Sequence, residues 1–228
     1  VTPGIAFSDQ VLENKNNNFL GSVFFDKDIF GLAFLDVSTG EFFTAQGDKE
    51  YCEKLLNTFN PSEVVIRKSK KDQFISLFGD SFYTYSFEDW VFTHDFAYDK
   101  LIRQFNTTTL KGFGIEELEL GVIAAGAVLH YLTESHHDKS GHIVKISRLE
   151  KDEFVWMDHF TVRNLELIFS PHPNAVTLFN ILDNTFTPMG ARLLKRWLLL
   201  PLIDIKKINA RHAVVEFFFQ NQEFYDSI

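Results

Sequence analysis

The sequence predicts an α/β protein, a mixed sheet flanked by helices and followed by an all-helical segment, on three observations. Apolar and β-branched runs separated by tight polar turns open the chain, the pattern of an antiparallel meander. A helix-spaced stretch then leads into a short buried strand, the signature of a crossover connection. From Phe160 onward only helical spacing appears.

The elements follow in order. Phe19–Phe25 and Gly31–Val37 are the first two strands, and Asp26-Lys27-Asp28 is the turn between them. Ser38-Thr39-Gly40 turns the chain into a third strand, Glu41–Ala45. Asp48–Phe59 sets Tyr51, Cys52, Leu55, Leu56 and Phe59 on one side of a helix. Pro61 ends it, and Glu63–Ile66 is a buried strand. Lys71–Phe78 reads as a short helix, Ser81–Tyr85 as a strand, and Phe96–Phe105 as a helix whose apolar side is Leu101, Ile102 and Phe105. Leu110–Gly114 is a loop before the helix Glu117–Thr133, where Ala124, Ala125, Gly126 and Ala127 are small enough to let another backbone come close. His136–His142 is a polar loop, and Ile143–Leu149 and Glu153–Met157 alternate like two short strands. The helical part comprises Thr161–Phe169, Val176–Leu182, Pro188–Leu200 and Ile205–Phe219.

The third of these helices is the most informative. Thr187 suits the N-cap, and Pro188 takes the first helical position, where its missing N–H costs nothing. Gly190, Leu193, Leu194, Trp197, Leu198 and Pro201 share one face, while Arg192, Lys195, Arg196 and Leu199 share the other. Asp204 caps the next helix, whose stripe is Ile205, Ile208, His212, Val215 and Phe219. Burying Leu193, Leu194, Trp197 and Leu198 would stabilise by about 6–12 kcal/mol at most. The stripe is therefore expected to be a core seam, packed in part on Phe179 and Leu182 and otherwise on sequence beyond Ile228.

Composition bounds the function. The chain of 228 residues carries 26 Phe, so an aromatic core is expected, and its net charge is −9. Residues 1–150 hold 14 Lys and Arg against 22 Asp and Glu, whereas 160–215 hold seven against three. The acidic first part repels nucleic acid, the later stretch does not, and the asymmetry suits a two-part chain. One cysteine, Cys52, permits no internal disulfide and points to an intracellular setting. No apolar run reaches the roughly 18 residues of a membrane span. The opening VTPGIAFSD reads as a linker and FFFQNQEFYDSI ends without a cap, so the expectation is a fragment cut at both ends.

Each candidate site has two readings. Asp26, Asp28, Asp36 and Glu41 lie at or near strand ends, where nucleases of the ribonuclease H kind hold Mg²⁺ on oxygen ligands. Alternatively Asp26 and Asp28 polarise a hairpin turn and Asp36 caps the Ser-Thr-Gly turn. His136, His137, Asp138 and His142 have metal-binding side chains in a spacing that fits no zinc pattern, and a solvated loop is the simpler account. Lys111-Gly112-Phe113-Gly114 lacks the ending of a phosphate loop and reads as a turn. Cys52 reads as a core thiol. Arg192, Lys195 and Arg196 are either a solvated face or phosphate contacts. Asp95, Tyr98, Asp99 and Arg103 face away from the apolar side of their helix, as ordinary surface or as a docking face.

The order of motifs resembles the bacterial MutS DNA mismatch-repair family. The matching stretches are Val1-Thr-Pro-Gly4, LDVSTGEF at Leu35–Phe42, NPSEVVI at Asn60–Ile66, LKGFGIE at Leu110–Glu116 and AAGAVLHYL at Ala124–Leu132. MDHFTVRNLEL at Met157–Leu167, TLFNILDNTFTPMGARLLKRWLLLPLID at Thr177–Asp204 and INARHAVVE at Ile208–Glu216 complete them. Ile5 departs from the family, which commonly has Thr there.

The resemblance implies a ribonuclease H-like connector over residues 1–140 and the incomplete start of the helical core (lever) domain over 141–228. It implies a non-catalytic fragment that transmits conformational change between the mismatch-binding, clamp and ATPase domains and docks MutL, on a face assigned to Asp95, Tyr98, Asp99 and Arg103. The family's mismatch-reading Phe-x-Glu and its Walker loop are both absent from the chain, so the fragment is expected to hold no cofactor, with ATP and Mg²⁺ in the parent protein. Partners are the parent's other domains, a MutL-type protein and, through the parent, mismatched DNA; no membrane is implied. The parent is expected to be a homodimer in the bacterial cytoplasm, associated with the nucleoid. The alternative is a metal-dependent ribonuclease H-like nuclease using Asp26, Asp36 and Glu41, although the family connector is not known for metal chemistry.

Overall fold

The eight-residue strands β1 (Phe19–Asp26) and β2 (Ile29–Asp36) form a tight hairpin in which Phe19 lies opposite Asp36 and Asp26 opposite Ile29. Lys27 takes a positive φ of 51° in the turn. β3 (Glu41–Gly47) extends the meander antiparallel to β2. These elements belong to a computed structural model that describes residues 17–135, 140–170, 172, 175–221 and 223. The expected linker at Val1–Gly4 and Ile5, and His136, His137 and Asp138, lie outside the described residues.

Helix α1 (Lys49–Phe59) is capped by Asp48, whose carboxylate accepts from the Tyr51 amide at 2.8 Å. It ends at Asn60 in the left-handed region and returns the chain to β4 (Glu63–Arg67), parallel to β1. α2 (Lys71–Phe78) then leads to β5 (Thr84–Phe87), parallel to β4. After α3 (His94–Gln104) and α4 (Glu119–Glu134), the two-residue β6 (Ser147–Arg148) joins β3 in parallel. The sheet order is β5-β4-β1-β2-β3-β6.

Alternation along β2 assigns the faces. Phe30 and Phe34 meet the α1 side: Phe34 stacks on Phe59 at 4.5 Å, and the Cys52 thiol lies 3.8 Å from the Phe30 carbonyl. Gly31, Ala33 and Leu35 meet α4, which is buried from Gly121 to Leu132. The small residues act as expected. A Cβ on Gly126 would lie 2.4 Å from Ala97 Cα, and one on Gly31 would lie 2.1 Å from the Leu120 carbonyl, so α4 touches α3 and β2 backbone to backbone. No side chain of the helix's own N-cap caps α4; Gln46 on β3 accepts from the Leu120 amide at 2.8 Å instead.

Two stretches differ from expectation here. The strand expected at Ser81–Tyr85 lies at Thr84–Phe87, because pairing with β4 begins only where Tyr83 accepts from the Val64 amide; Phe82 packs its ring against Phe74 of α2. Of Ile143–Leu149 only Ser147–Arg148 joins a ladder, while Ile143 and Ile146 are buried in the core.

Contacts divide the chain into two units, Val1–Leu149 with Thr185–Arg192, and Glu150–Asn184 with Leu193–Ile228. In the second, the expected strand Glu153–Met157 reduces to an isolated bridge, Phe154 with Leu202, flanked by Val155 N–H to the Pro201 carbonyl at 2.7 Å. Helix α5 (His159–Asn164) stops short of the expected Phe169. Glu166 adopts φ 48°, and the carbonyls of Glu166 and Leu167 accept from the Leu178 and Phe179 amides at the start of α6 (Leu178–Leu182). Thr177 and Asn180 close a capping box on α6.

Helices α7 (Pro188–Leu199) and α8 (Ile205–Gln220) match their expected spans. Thr187 and Asp204 cap them as expected, accepting from the Gly190 amide at 3.1 Å and the Lys206 amide at 2.7 Å. Their apolar stripes are less buried than expected. Leu193, Leu194, Trp197 and Leu198 are half-buried, Leu199 on the supposed polar face is buried, and Ile205, Val215 and Phe219 are exposed.

Candidate functional site

Helix α3 is held from behind and open in front. Ala97 and Leu101 are buried on its inner side, where Gly126 admits the α3 backbone. At its C-terminal end Gln104 Nε2 donates to the carbonyls of Ser140 at 2.9 Å and Ile143 at 3.0 Å, tying the helix to the loop that precedes β6. Asp95 lies in the first turn and Arg103 in the last, each of the sign that suits the helix dipole.

On the outer side Asp95, Asp99 and Arg103 are exposed. Arg103 and Asp99 approach to 3.8 Å across one turn, a solvated pair that contributes little to stability and leaves both side chains available. A depression of about 260 Å³ is lined by His94, Asp95, Tyr98 and Asp99. Tyr98 differs from expectation: it is half-buried and packs on the core. His94 was absent from the expected set, although its position one turn before Tyr98 would have found it; their rings lie 5.7 Å apart.

The carboxylates expected for a nuclease do not assemble. Asp26 and Asp36 end the same hairpin at opposite ends, seven residues apart along the strand, or roughly 24 Å. Asp26 and Asp28 are exposed at the turn. Asp36 is 1% exposed, and its carboxylate accepts from the Ser38 and Thr39 amides, the Ser38 hydroxyl, Asn17 Nδ2 and the Asn18 amide. It caps the Ser-Thr-Gly turn. Glu41, opposite Asp36, shares the Asn17 amide at 3.0 Å. Among the described residues no three His, Cys, Asp or Glu side chains are grouped to hold a metal ion, and the nuclease reading is not supported.

The other candidates resolve as structure. His142 Nε2 lies 2.6 Å from the Val37 carbonyl. Lys111–Phe113 is one 3-10 turn closed by Gly114 at φ 68°. Cys52 is fully buried. Arg192, Lys195 and Arg196 are half-buried, and each is engaged in interactions of its own. Arg211, for which the sequence offered no signal, lies 4.1 Å over the Trp197 ring; burial, then Arg196, draws its pKa down from the usual arginine value, and Glu153 opposes this. Among the described residues no helix is long and apolar enough to cross a membrane.

Comparison with known proteins agrees with the motifs. The family model for MutS domain II matches residues 18–144, and that for MutS domain III matches residues 160–228. Proteins named DNA mismatch repair protein MutS from Cytophaga hutchinsonii and Flavobacterium johnsoniae are each 53% identical, over 98% and 100% of this chain. That of Bacteroides thetaiotaomicron is 50% identical over 100% of it. The chain spans 26% of the length of each of these relatives. It belongs to the MutS family of DNA mismatch-repair proteins and carries domains II and III of that family.

Proposed function

We propose that this segment relays conformational change within a mismatch-repair protein and docks a MutL-type partner, without catalysis of its own. Residues 1–140 are read as the connector and 141–228 as the incomplete start of the core (lever) domain. The parent protein would act on mismatched DNA as a homodimer in the bacterial cytoplasm, associated with the nucleoid, and would draw on ATP and Mg²⁺ in a domain other than these two.

The observation that carries the reading is the mounting of α3. Backbone-close packing on α4 and the Gln104 clamp make it a stiff element, and stiff packed elements pass displacement on rather than absorbing it. Its outer side keeps Asp95, Asp99 and Arg103 in solvent around the depression, where a partner with complementary charge could meet them. The test is charge reversal in the whole parent protein, Asp99→Arg with Arg103→Glu. Recruitment of the MutL-type partner should weaken while mismatch affinity stays unchanged. Unchanged recruitment would show that the face is misplaced.

A further inference from the structure

Residues 140–143 are held from several sides. From α3, Gln104 Nε2 donates to the Ser140 and Ile143 carbonyls at 2.9 and 3.0 Å. From the turn after β2, the Val37 carbonyl accepts from His142 Nε2 at 2.6 Å. That turn also meets the segment closely: Gly40 has φ 75°, and a Cβ there would stand 2.8 Å from the His142 carbonyl. Ile143 itself is fully buried in the core.

The places where the chain enters and leaves the sheet both connect to this segment. At the entry, Asn17 Nδ2 and the Asn18 amide donate to one carboxylate oxygen of Asp36, and the Ser38 amide donates to the other. The turn that receives His142 thus also holds the residues leading into β1. At the exit, the chain runs from Ile143 through β6 to Leu149, after which the second unit begins at Glu150. The Leu149 amide donates to the Thr44 carbonyl at 2.9 Å, and its carbonyl accepts from the Tyr51 hydroxyl at 3.0 Å.

Anchoring differs between the two helices. α4 is fixed to the sheet at Gly31 and through Gln46, whereas α3 packs mainly on α4. Beyond α4, α3 reaches the rest of the unit through Gln104 and through the ring of Phe105, its C-cap, which lies 6.4 Å from that of Phe42 on β3. A load on the exposed side of α3 therefore moves α3 before it moves the sheet, and packed elements tied by hydrogen bonds pass such a displacement along. We infer that Gln104 and His142 are positioning residues that couple α3 to the entry and exit of the sheet. Gln104 moves residues 140–143 with α3, Ile143 carries the movement toward Leu149, and His142 carries it to the Asp36 turn and Asn18. This coupling presupposes the relay reading of α3 and adds its route.

The experiment is a double-mutant cycle read by backbone amide NMR of this 228-residue chain. Gly126→Ala displaces α3, since the added Cβ would stand 2.4 Å from Ala97; Ala97→Ser adds one atom to the same contact and replaces it if Gly126→Ala does not fold. The Leu149 and Asn18 amides should shift along with those of α3. In Gln104→Met, which keeps the length of the side chain and loses both donors, the response at Leu149 and Asn18 should fall below about half. Gln104→Glu, which also cannot donate, serves if Gln104→Met does not fold. In His142→Phe the response should fall at Asn18 and persist at Leu149. A merely structural Gln104 would change the starting spectrum and the stability but not the response to Gly126→Ala. A full response in Gln104→Met would place the route elsewhere, as through Phe105 and Phe42, and overturn the proposal while the relay stands. A full Asn18 response in His142→Phe would overturn the role of His142. If Gly126→Ala moves no amide beyond α3 and α4, the relay and the coupling fail together.

Discussion

Substituting Gly126 by Ala tests the contact on which the mounting of α3 rests. The new Cβ would stand 2.4 Å from both Cα and Cβ of Ala97. Carbon atoms in contact sit about 3.5–4.0 Å apart, so the helices must separate by about 1 Å or more. One of the two obstructing atoms is backbone, which no rotamer change can move aside. Overpacking of this kind costs up to about 3 kcal/mol. Alanine returns about 1 kcal/mol of helix propensity over glycine. The net loss expected is up to about 2 kcal/mol, a fall in melting temperature of up to about 4–8 °C. Because the chain has two units, a single transition cannot be assumed, and hydrogen exchange of the α4 amides is the local readout. Gly112→Ala is the control, since nothing lies within 4 Å of the added atom. If Gly126→Ala protects the α4 amides as well as the parent sequence does, the two helices are not in backbone contact and the relay argument loses its basis.

Asp36→Asn should destabilise by about 1–3 kcal/mol in denaturant titration, because an amide presents donors to the Ser38, Thr39 and Asn17 groups that now donate to Asp36. Neither it nor the unaltered chain should cut branched or duplex DNA with Mg²⁺ or Mn²⁺. His130 is 7% exposed among Phe87, Trp90 and Phe96, and burial, then Lys100, lowers its pKa against a raising effect of Glu134. The unfolded chain then takes up the proton more readily than the folded one. Its contribution to stability should be whole above about 6.5 and fall as the pH drops from there toward the lowered folded value. His130→Leu should flatten that part of the stability–pH curve, and a curve identical to the parent's would contradict the burial account.

What the sequence made legible was local. The turns Asp26-Lys27-Asp28 and Ser38-Thr39-Gly40 fix the meander, and Asp48 with Pro61 brackets α1, because turn and cap chemistry acts over a few residues. The shift of β5 was hidden, since Phe82 has the same apolar character whether it joins a ladder or packs on Phe74. So was the early end of α5, where Glu166 leaves the helix because its carbonyl serves α6 rather than its own helix. Helical spacing showed that Leu193, Leu194, Trp197 and Leu198 share a face, but not what stands opposite, and the structure leaves that face half-buried. At the candidate site, exposure of Asp95, Asp99 and Arg103 was readable from spacing. The half-burial of Tyr98 was not, since it depends on the core that other elements bring together.

The most direct test of the docking account uses position 99. Cys52 is fully buried, so within this segment Asp99→Cys supplies an accessible thiol on the α3 face. In a parent protein whose other accessible cysteines are replaced, a short thiol-directed cross-linker should join position 99 to the MutL-type partner when mismatched DNA and ATP are present. A cross-link from Lys27→Cys, on the exposed turn between β1 and β2, with none from position 99 would contradict it.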